Sequence, residues 1–383
     1  MKIYDVAIIG GGIIGGIISY ELSKYKLSNV ILEKNPVLAD ETTRGNSGAI
    51  HGGFDPPSEK IEARLNVLGN QLWRDEIFPN LDFPKAQVDS LVVAFNKEEE
   101  EHLDMLYARG LTNKVPKEFL SIISQKEVRE REPNISKDVT KALVCTSSWA
   151  IDPVAATKAL FSVAQNNGIN IERNSEVTAI KYVKDHFEIT VNNSTKFYAK
   201  NIVNAAGHYA DVIAEIAGYP DFKQKVRRGE YRILARSERS TINSIIFMVP
   251  TIHGKGVIVA PMLDGHVLVG PTAQEDVPKN ETRLVTREKY DEIGRIGNKL
   301  IPSLNLEKTI MTLSGSRPID IETDDFVIKY AKGNKHFINV AGMQSPAIAS
   351  APAIAIEVAK LLKDNGTTMN KNESFKPKFK LMY

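Results

Sequence analysis

Alternating apolar and polar segments predict buried strands joined by a helix at the start of the chain. The run "IYDVAII", residues 3–9, is rich in β-branched residues and is followed by glycines, which is typical of a buried strand. The next stretch, "IIGGIISYELSKYKLS", predicts a helix, and "NVILEK" predicts a second strand. Together they form one βαβ unit, whose crossover connection is expected to be right-handed.

The same order of strand, glycine turn and helix returns in the middle and at the end of the chain. It occurs in "AKNIVNAAGHYAD" and in "KHFINVAGMQSPAIASAPAIAIEVAKLLKDNG". A further helix is predicted over residues 152–168, because an Asp-Pro pair opens it and Gly168 closes it. Residues 226–330 contain short apolar segments separated by turn residues, which favours antiparallel strands.

These patterns predict an α/β fold with a Rossmann-like nucleotide-binding domain that is built from discontinuous segments. An inserted, mainly antiparallel β substrate domain interrupts it. The nucleotide-binding domain is assigned residues 1–80, 150–220 and 331–365, and the substrate domain residues 81–149 and 221–330. Residues 366–383 contain many Lys and Asn residues and are expected to form a loosely ordered tail.

Composition narrows the class of protein. The chain has 49 basic and 47 acidic residues, and its net charge of +2 is too small to indicate that it binds nucleic acid. The opening residues lack a signal-peptide pattern, and no apolar run is long enough to predict a transmembrane segment. Cys145 is the single cysteine, which excludes an internal disulfide and suits a reducing compartment. We expect a soluble, cytoplasmic protein without a metal site; loose membrane association and the oligomeric state stay open.

A dinucleotide signature follows the first strand directly. Gly10 permits a tight turn, Gly12 lets the main chain approach a pyrophosphate, and Gly15 lets the helix pack closely on the strand. Glu33 ends the second strand and is placed to accept hydrogen bonds from the adenosine ribose, which disfavours NADP. This signature alone leaves FAD and NAD as alternatives.

Three further residues are candidates for chemistry. His51 lies in the glycine-rich stretch "GNSGAIHGGFDPP", so its imidazole could face a bound molecule and act as a general base. Lys255 lies between glycines in "HGKGV", and Arg317 in "SRPID" offers a planar fork for two phosphate oxygens. The alternative interpretation is a surface lysine and a structural pair of Arg317 with Asp320.

The chain resembles the FAD-dependent glycerol 3-phosphate oxidases of the D-amino-acid-oxidase-like superfamily. The motifs that carry the resemblance span essentially the whole chain and keep their order: "GGGIIG" with Glu33, "NSGAIHGG", "NAAGHYAD", "TIHGKGVIVAPMLDGHVLVGPTA", "SGSRPID" and "GMQSPA". The resemblance is to the short form of these enzymes, without the extra C-terminal helical domain, and it implies that the nucleotide-binding domain binds FAD.

The resemblance also implies roles for individual residues. In addition to Gly10, Gly12, Gly15 and Gly207 of the two glycine turns, the positions that match FAD contacts are Ile14, Glu33, Thr42, Thr43, Ser47, Gly48, Ala49, Val177, Met343, Gln344 and Ala349. The positions that match the surroundings of the substrate are Ser47, His51, Lys255, Arg317 and Ser345. His208 and His253 are weaker candidates, expected to be structural or to lie behind the direct contacts.

The last helix departs from the family pattern. A glycine that often follows the Ser-Pro pair is Ala347 here, so the main chain could approach the flavin differently. Ser345 and Pro346 predict a helix start, with Ser345 as the cap and Pro346 as the first helical residue. Pro352 predicts either a kink or a later start near Ser350.

The implied reaction is oxidation of sn-glycerol 3-phosphate, a small phosphorylated polyol, to dihydroxyacetone phosphate. His51 would remove the C2 hydroxyl proton while hydride passes to flavin N5, Lys255 and Arg317 would hold the phosphate, and dioxygen would reoxidise the flavin to give hydrogen peroxide. Alternatives are an L-2-hydroxyglutarate or other 2-hydroxy-acid oxidase, a glycerol 3-phosphate dehydrogenase with a quinone acceptor, and an oxidase of glycine or sarcosine. A flavin-dependent assembly or binding protein is the alternative that is not an enzyme.

Overall fold

The computed structural model describes residues 2–249 and 256–379. Its strands are β1 Ile3–Ile9, β2 Asn29–Leu32, β3 Ala49–Ile50, β4 Lys85–Gln87, β5 Ser90–Ala94, β6 Leu120–Ser124, β7 Lys141–Cys145, β8 Trp149–Ile151, β9 Asn170–Glu172, β10 Val177–Val183, β11 His186–Val191, β12 Thr195–Asn204, β13 Gln224–Leu234, β14 Ile245–Met248, β15 Ile258–Pro261, β16 Val267–Gly270, β17 Thr309–Asp320, β18 Val327–Ala331 and β19 Asn334–Ala341. Its α-helices are α1 Ile13–Leu22, α2 Ile61–Leu72, α3 Phe78–Asn80, α4 Lys97–Thr112, α5 Gln125–Arg131, α6 Pro153–Asn166, α7 Ala210–Ile216, α8 Arg287–Leu300 and α9 Ala347–Asp364.

A parallel sheet forms the first domain. Its parallel strands lie in the order β9, β2, β1, β12 and β19, and β1 pairs with β12 from Ile3 and Tyr198 to Ile9 and Asn204. The hairpin of β10 and β11 extends the early half of β12 in antiparallel fashion, and β18 pairs antiparallel with β19. The predicted α/β fold, built from discontinuous stretches of chain, is confirmed.

Apolar residues cover both faces of this sheet. Val6 and Ile8 of β1 pack into a core with α1, α6 and α9, whereas Ala7 and Ile9 pack into a core on the side of α7. This explains why residues 3–9 are a nearly continuous apolar run, as is typical of a parallel strand covered on both sides.

Helix α6 begins where the sequence indicates. The carboxylate of Asp152 accepts hydrogen bonds from the main-chain N–H groups of Val154 and Ala155, both at 2.9 Å, and Pro153 is the first helical residue. These contacts satisfy donors that have no partner inside the helix.

A second, mainly antiparallel sheet forms the inserted domain. Its order is β17, β13, β16, β15, β14, β5, β7 and β6, and the pair of β14 with β5 is parallel. The predicted boundary at residue 331 is slightly late, because β18 already belongs to the first sheet through its pairing with β19.

The segment after α9 is anchored to the first domain as far as residue 379. The ring of Phe375 meets the ring of Tyr20 edge-on with centroids 5.8 Å apart, and Phe379 forms a bridge with Leu81. The expectation of a loose tail is therefore wrong for residues 366–379, because two aromatic side chains anchor this polar segment.

Helix α9 differs from the expected start. It begins at Ala347, with Pro346 in the cap position and no side-chain cap, and it continues through Pro352 instead of starting near Ser350. Pro352 has no N–H for the Ile348 carbonyl one turn earlier. The indole Nε1 of Trp73 donates to that carbonyl at 2.8 Å, so the helix can carry an internal proline.

Helices that could cross a bilayer are absent from the described ranges, in which none combines enough length with enough apolar character.

Candidate active site

A cavity of about 380 Å³ lies where the two domains meet. The turn after β1, the loop between β2 and β3, the turn after β12, the second half of β17 and the start of α9 all contribute to its wall. A pocket at this position follows from the topology, since the carboxyl ends of parallel strands open toward ligands in such sheets.

The glycine turn after β1 gives the cavity a wall made of main chain. Gly10 has a φ of +116°, and a Cβ at Gly10 or at Gly15 would overlap a carbonyl group, that of Ala205 or of Gly10 respectively. The Oγ1 of Thr43 accepts a hydrogen bond from the N–H of Ile13 at 3.0 Å, which fixes the first turn of α1. Main-chain N–H groups at the start of a helix stabilise phosphate.

Glu33 lies behind this turn and is 8% exposed. Its Oε2 accepts from the N–H of Gly11 at 2.6 Å, and its Oε1 accepts from the N–H of Asn35 at 2.7 Å. Burial raises the pKa of Glu33, while these two donors act in the opposite direction. The carboxylate still has lone pairs to accept hydroxyl groups, because each oxygen can take two hydrogen bonds.

Two glycines far apart in the chain bring the β2–β3 loop onto β17. A Cβ at Gly45 would overlap the main chain of Ser314 and Gly315, and a Cβ at Gly315 would overlap Gly45. Sequence reasoning missed this contact, since the only signal is a glycine in "SGSRPID" with no indication of its partner.

A short hydrogen-bonded chain forms the neighbouring wall. The Oγ1 of Thr42 lies 2.8 Å from the Oγ of Ser316, which lies 3.0 Å from Nδ1 of His208. His208 is 2% exposed, and burial lowers its pKa to about 4. At neutral pH this imidazole is uncharged and joins β17 to the turn after β12.

His51 also lines the cavity. Its Nε2 lies 3.5 Å from the Oγ of Ser345, and its ring centroid lies 5.8 Å from that of Phe247. The main-chain carbonyl of His51 accepts from the amides of Asn66 and Asn70 on α2, at 2.8 and 3.1 Å. These two hydrogen bonds fix the main chain of the loop at His51 without using its imidazole.

The glycine after His51 is required by packing. A Cβ at Gly52 would overlap the sulfur of the buried Cys145. The glycine-rich flanks of His51 thus reflect close packing on β7, and Cys145 fills the core there.

Arg317 is a further lining residue of the cavity. Its Nη2 donates to the carbonyl of Thr272 at 2.7 Å, and burial lowers its pKa. The guanidinium passes over the main chain of Gly229, where a Cβ would stand only 3.1 Å from Nη2. Asp320 accepts from the N–H and hydroxyl of Thr323 at 3.0 and 2.6 Å, so the structural pair with Arg317 is not formed.

Tyr231 was missed by sequence reasoning. It is 5% exposed, lines the cavity, and has a pKa that desolvation raises and the charge of Arg317 lowers. Side chains alternate along β13, so Gly229 and Tyr231 lie on the same face of the sheet. The register of β13 with β17 then places Arg317 on that face as well, and the sequence does not indicate this register.

The structure brings most of the expected residues to one cavity. Those that line it are Gly10, Gly12, Ile14, Glu33, Thr42, Thr43, Ser47, Ala49, His51, Val177, Gly207, Arg317, Met343, Gln344 and Ser345. Gly15, Gly48 and Ala349 lie behind the wall, where their main chain packs on Gly10, Ile151 and Gly69 respectively. Lys255 and His253 lie outside the described residues.

The residues present fit an FAD molecule. The glycine turn is a cradle that side chains would fill, a buried carboxylate stands beside it, and the cavity extends from there to the side chains at its opposite end. This donor set suits a dinucleotide with a redox ring.

Comparison with known proteins agrees with this fit. A family model described as FAD dependent oxidoreductase matches residues 5–361. The chain is 44% identical over 386 residues to the glycerol 3-phosphate oxidase of Mycoplasma genitalium, covering 100% of both chains. It is 44% identical over 365 residues to that of Mycoplasma pneumoniae, covering 94% of this chain and 95% of the relative.

A solved structure is similar over its full length. The dithionite-reduced L-alpha-glycerophosphate oxidase from Mycoplasma pneumoniae with FAD bound superposes with a TM-score of 0.96 at 42% identity, covering 100% of both chains. The resemblance inferred from the motifs is confirmed. The chain belongs to the FAD dependent oxidoreductase family, and FAD is its cofactor.

Proposed function

We propose that this enzyme oxidises sn-glycerol 3-phosphate to dihydroxyacetone phosphate, with dioxygen as the final acceptor and hydrogen peroxide as the second product. The observation that carries the proposal is that an imidazole, His51, and a buried guanidinium, Arg317, line the same cavity as the glycine cradle. The names of full-length relatives at 44% identity support the same substrate.

Bound FAD supplies the acceptor for the hydride that leaves C2 of the substrate. The glycine turn, Glu33, Thr42 and Thr43 would hold its nucleotide half, and the start of α9 would hold the ring.

His51 accepts the proton of the C2 hydroxyl in the proposed reaction. A neutral imidazole titrates close to physiological pH, which suits a general base. Its Nε2 lies 3.5 Å from the Oγ of Ser345, so a substrate hydroxyl placed beside this pair could contact both groups.

Arg317 binds the phosphate group through charge-assisted hydrogen bonds. Thr272 fixes the guanidinium through Nη2, which leaves the remaining N–H groups for the ligand. Tyr231 offers a hydroxyl beside it, and Ser47 and Ser345 offer further hydroxyls on the cavity wall. Lys255, which lies outside the described residues, is proposed from the sequence as the second cation.

Phe247 and Ile258 give this end of the cavity apolar walls. They reduce the number of waters around the reacting atoms, and this strengthens the electrostatic contacts of His51 and Arg317. We further propose that the enzyme is cytoplasmic, in accordance with its single, buried cysteine.

The test is anaerobic titration of the purified holoenzyme with glycerol 3-phosphate, L-2-hydroxyglutarate and glycine in separate experiments. We expect the flavin absorbance band to bleach with glycerol 3-phosphate alone, and admission of air to restore the band with equimolar peroxide. Bleaching by L-2-hydroxyglutarate or glycine instead would assign a different substrate. Recovery of the band by a quinone but not by air would assign a dehydrogenase.

A further inference from the structure

Two arginines face each other across the strand pair next to the cavity. Arg227 of β13 and Arg317 of β17 are direct register partners, so their side chains project from the same face of the sheet. Like charges directly opposite each other in an antiparallel pair destabilise a sheet. A nearby anion would offset the repulsion between the two guanidinium groups.

Glu275 supplies part of that compensation. Its Oε1 lies 2.5 Å from Nε of Arg227, and its Oε2 lies 3.3 Å from Nζ of Lys225, two residues earlier on the same face. The carboxylate is thus shared between two cations while it also faces the charge of Arg317.

The other nearby carboxylate is engaged elsewhere. Asp324 acts on Arg227 only through its charge, since its Oδ2 pairs with Nζ of Lys60 at 2.8 Å. Lys225, Arg227 and Arg317 together therefore exceed Glu275 by two positive charges. That excess equals the charge of a phosphate dianion.

Arg317 and Arg227 occupy different depths. Arg317 lines the cavity, and its guanidinium lies over Gly229 and next to Tyr231. The side chain of Arg227 is 20% exposed, pairs with Glu275 and is not among the residues that line the cavity.

We propose that Arg227 is a second anion-recognition residue, which Glu275 holds until a phosphate dianion competes for it. The inference deepens the proposed function by assigning specificity for a doubly charged group. Since a ligand with a single negative charge competes less well with Glu275 for Arg227, the pair favours phosphate esters over monocarboxylates.

The experiment measures binding of inorganic phosphate to the holoenzyme by isothermal titration calorimetry, together with KM and kcat for glycerol 3-phosphate. The variants are Arg227→Gln, Arg227→Lys and Glu275→Gln. The matched control is Lys196→Gln, which removes one paired cation from β12 of the other sheet, where Lys196 contacts Glu188. FAD content and thermal unfolding are checked for each protein.

We expect Arg227→Gln to raise both the phosphate Kd and KM by about tenfold with kcat nearly unchanged, since it removes a charge-assisted hydrogen bond. Arg227→Lys should recover part of the affinity, and Glu275→Gln should tighten phosphate binding severalfold because the competing carboxylate is gone. Lys196→Gln should stay within about twofold, because a surface ion pair distant from the site contributes little.

The proposal would be overturned if Arg227→Gln bound phosphate with a Kd within twofold of wild type. It would also be overturned if Glu275→Gln bound phosphate more weakly than wild type. These outcomes are distinct from failure of the proposed function. If the wild-type enzyme binds phosphate through Arg227 yet is not reduced by glycerol 3-phosphate, the anion site stands and the substrate assignment is wrong.

Discussion

The two ends of the cavity are built from different parts of the polypeptide. At the cofactor end, main chain forms part of the wall: the glycine turn after β1 leaves no room for a Cβ at Gly10 or Gly15. At the substrate end, the wall consists of side chains from separate segments, among them His51, Tyr231 and Arg317.

The two ends should therefore differ in how they tolerate amino-acid substitutions. A main-chain wall is destroyed by almost any added side chain, because the displaced group is the backbone of a neighbouring segment. A side-chain wall can lose one group and keep its shape, so substitutions there should alter substrate handling and leave FAD bound.

Substitution of His51 should give the largest effect on chemistry. We expect His51→Gln to slow flavin reduction by glycerol 3-phosphate about 100- to 10,000-fold, the range for loss of a general base. Anaerobic stopped-flow absorbance measures the rate, and FAD content should match wild type. Flavin reduction at the wild-type rate would rule out the base assignment.

Arg317→Ala should lower kcat/KM about 10- to 150-fold, since a hydrogen bond to a charged group contributes about 1.5–3 kcal/mol. The effect is measured from steady-state peroxide formation, with FAD content as the control. A value within twofold of wild type would exclude a role for Arg317 in substrate binding.

Neighbouring glycines of α1 test the main-chain end. Gly15→Ala places a Cβ on the Gly10 carbonyl and should weaken FAD binding roughly tenfold to a hundredfold, from an overpacking cost of about 1–3 kcal/mol. Gly16→Ala is the matched control, because its Cβ would stand 3.4 Å from Phe161 and a helical alanine adds about 1 kcal/mol of stability. Titration of each apoprotein with FAD, followed by flavin fluorescence, measures the FAD affinity of both variants. Equal FAD affinities would contradict the explanation that Gly15 is needed for close packing.

The two tryptophans test how α9 carries its internal proline. Trp73→Phe should lower the free energy of unfolding by about 1–3 kcal/mol, because the Ile348 carbonyl loses its donor. Trp149→Phe should cost less, since the buried Nε1 of Trp149 has no hydrogen-bond partner among the described residues. Urea unfolding measures both, and a larger loss for Trp149→Phe would contradict the explanation.

His208 should give the smallest effect, as a pH dependence. Its pKa of about 4 in the folded protein lies below the ordinary 6.5, so the unfolded chain binds more protons between these values. The contribution of His208 to the free energy of unfolding is then nearly complete above about pH 7.5 and decreases as the pH falls, by about 1.3 kcal/mol between pH 7.5 and pH 5.5. The difference in unfolding free energy between wild type and His208→Gln should shrink accordingly over this interval; a constant difference would indicate an unshifted pKa.

The sequence predicted those features of the fold that depend only on neighbouring residues. The glycine turn of Gly10 to Gly15 and the start of α6 at Asp152 depend on residues that are close together in the chain. Tyr231 and the contact of Gly45 with Gly315 could not be predicted, because they depend on the register of β13 with β17 and on segments about 270 residues apart.

Two further differences have long-range causes. Helix α9 runs through Pro352 because Trp73, far away in the chain, replaces the missing donor. Residues 366–379 are held because Phe375 and Phe379 pack against the core of the first domain, and the many polar residues around them gave no sign of this packing.

The discontinuous parallel sheet has a consequence for biosynthesis. Strands β1 and β2 leave the ribosome long before their sheet neighbours β12 and β19, and α9 follows β19. The apolar faces of the nascent βαβ unit therefore lack these partners until β12, β19 and α9 have been synthesised. Because the start of α9 lines the cavity, we expect FAD to be captured only after α9 has left the ribosome.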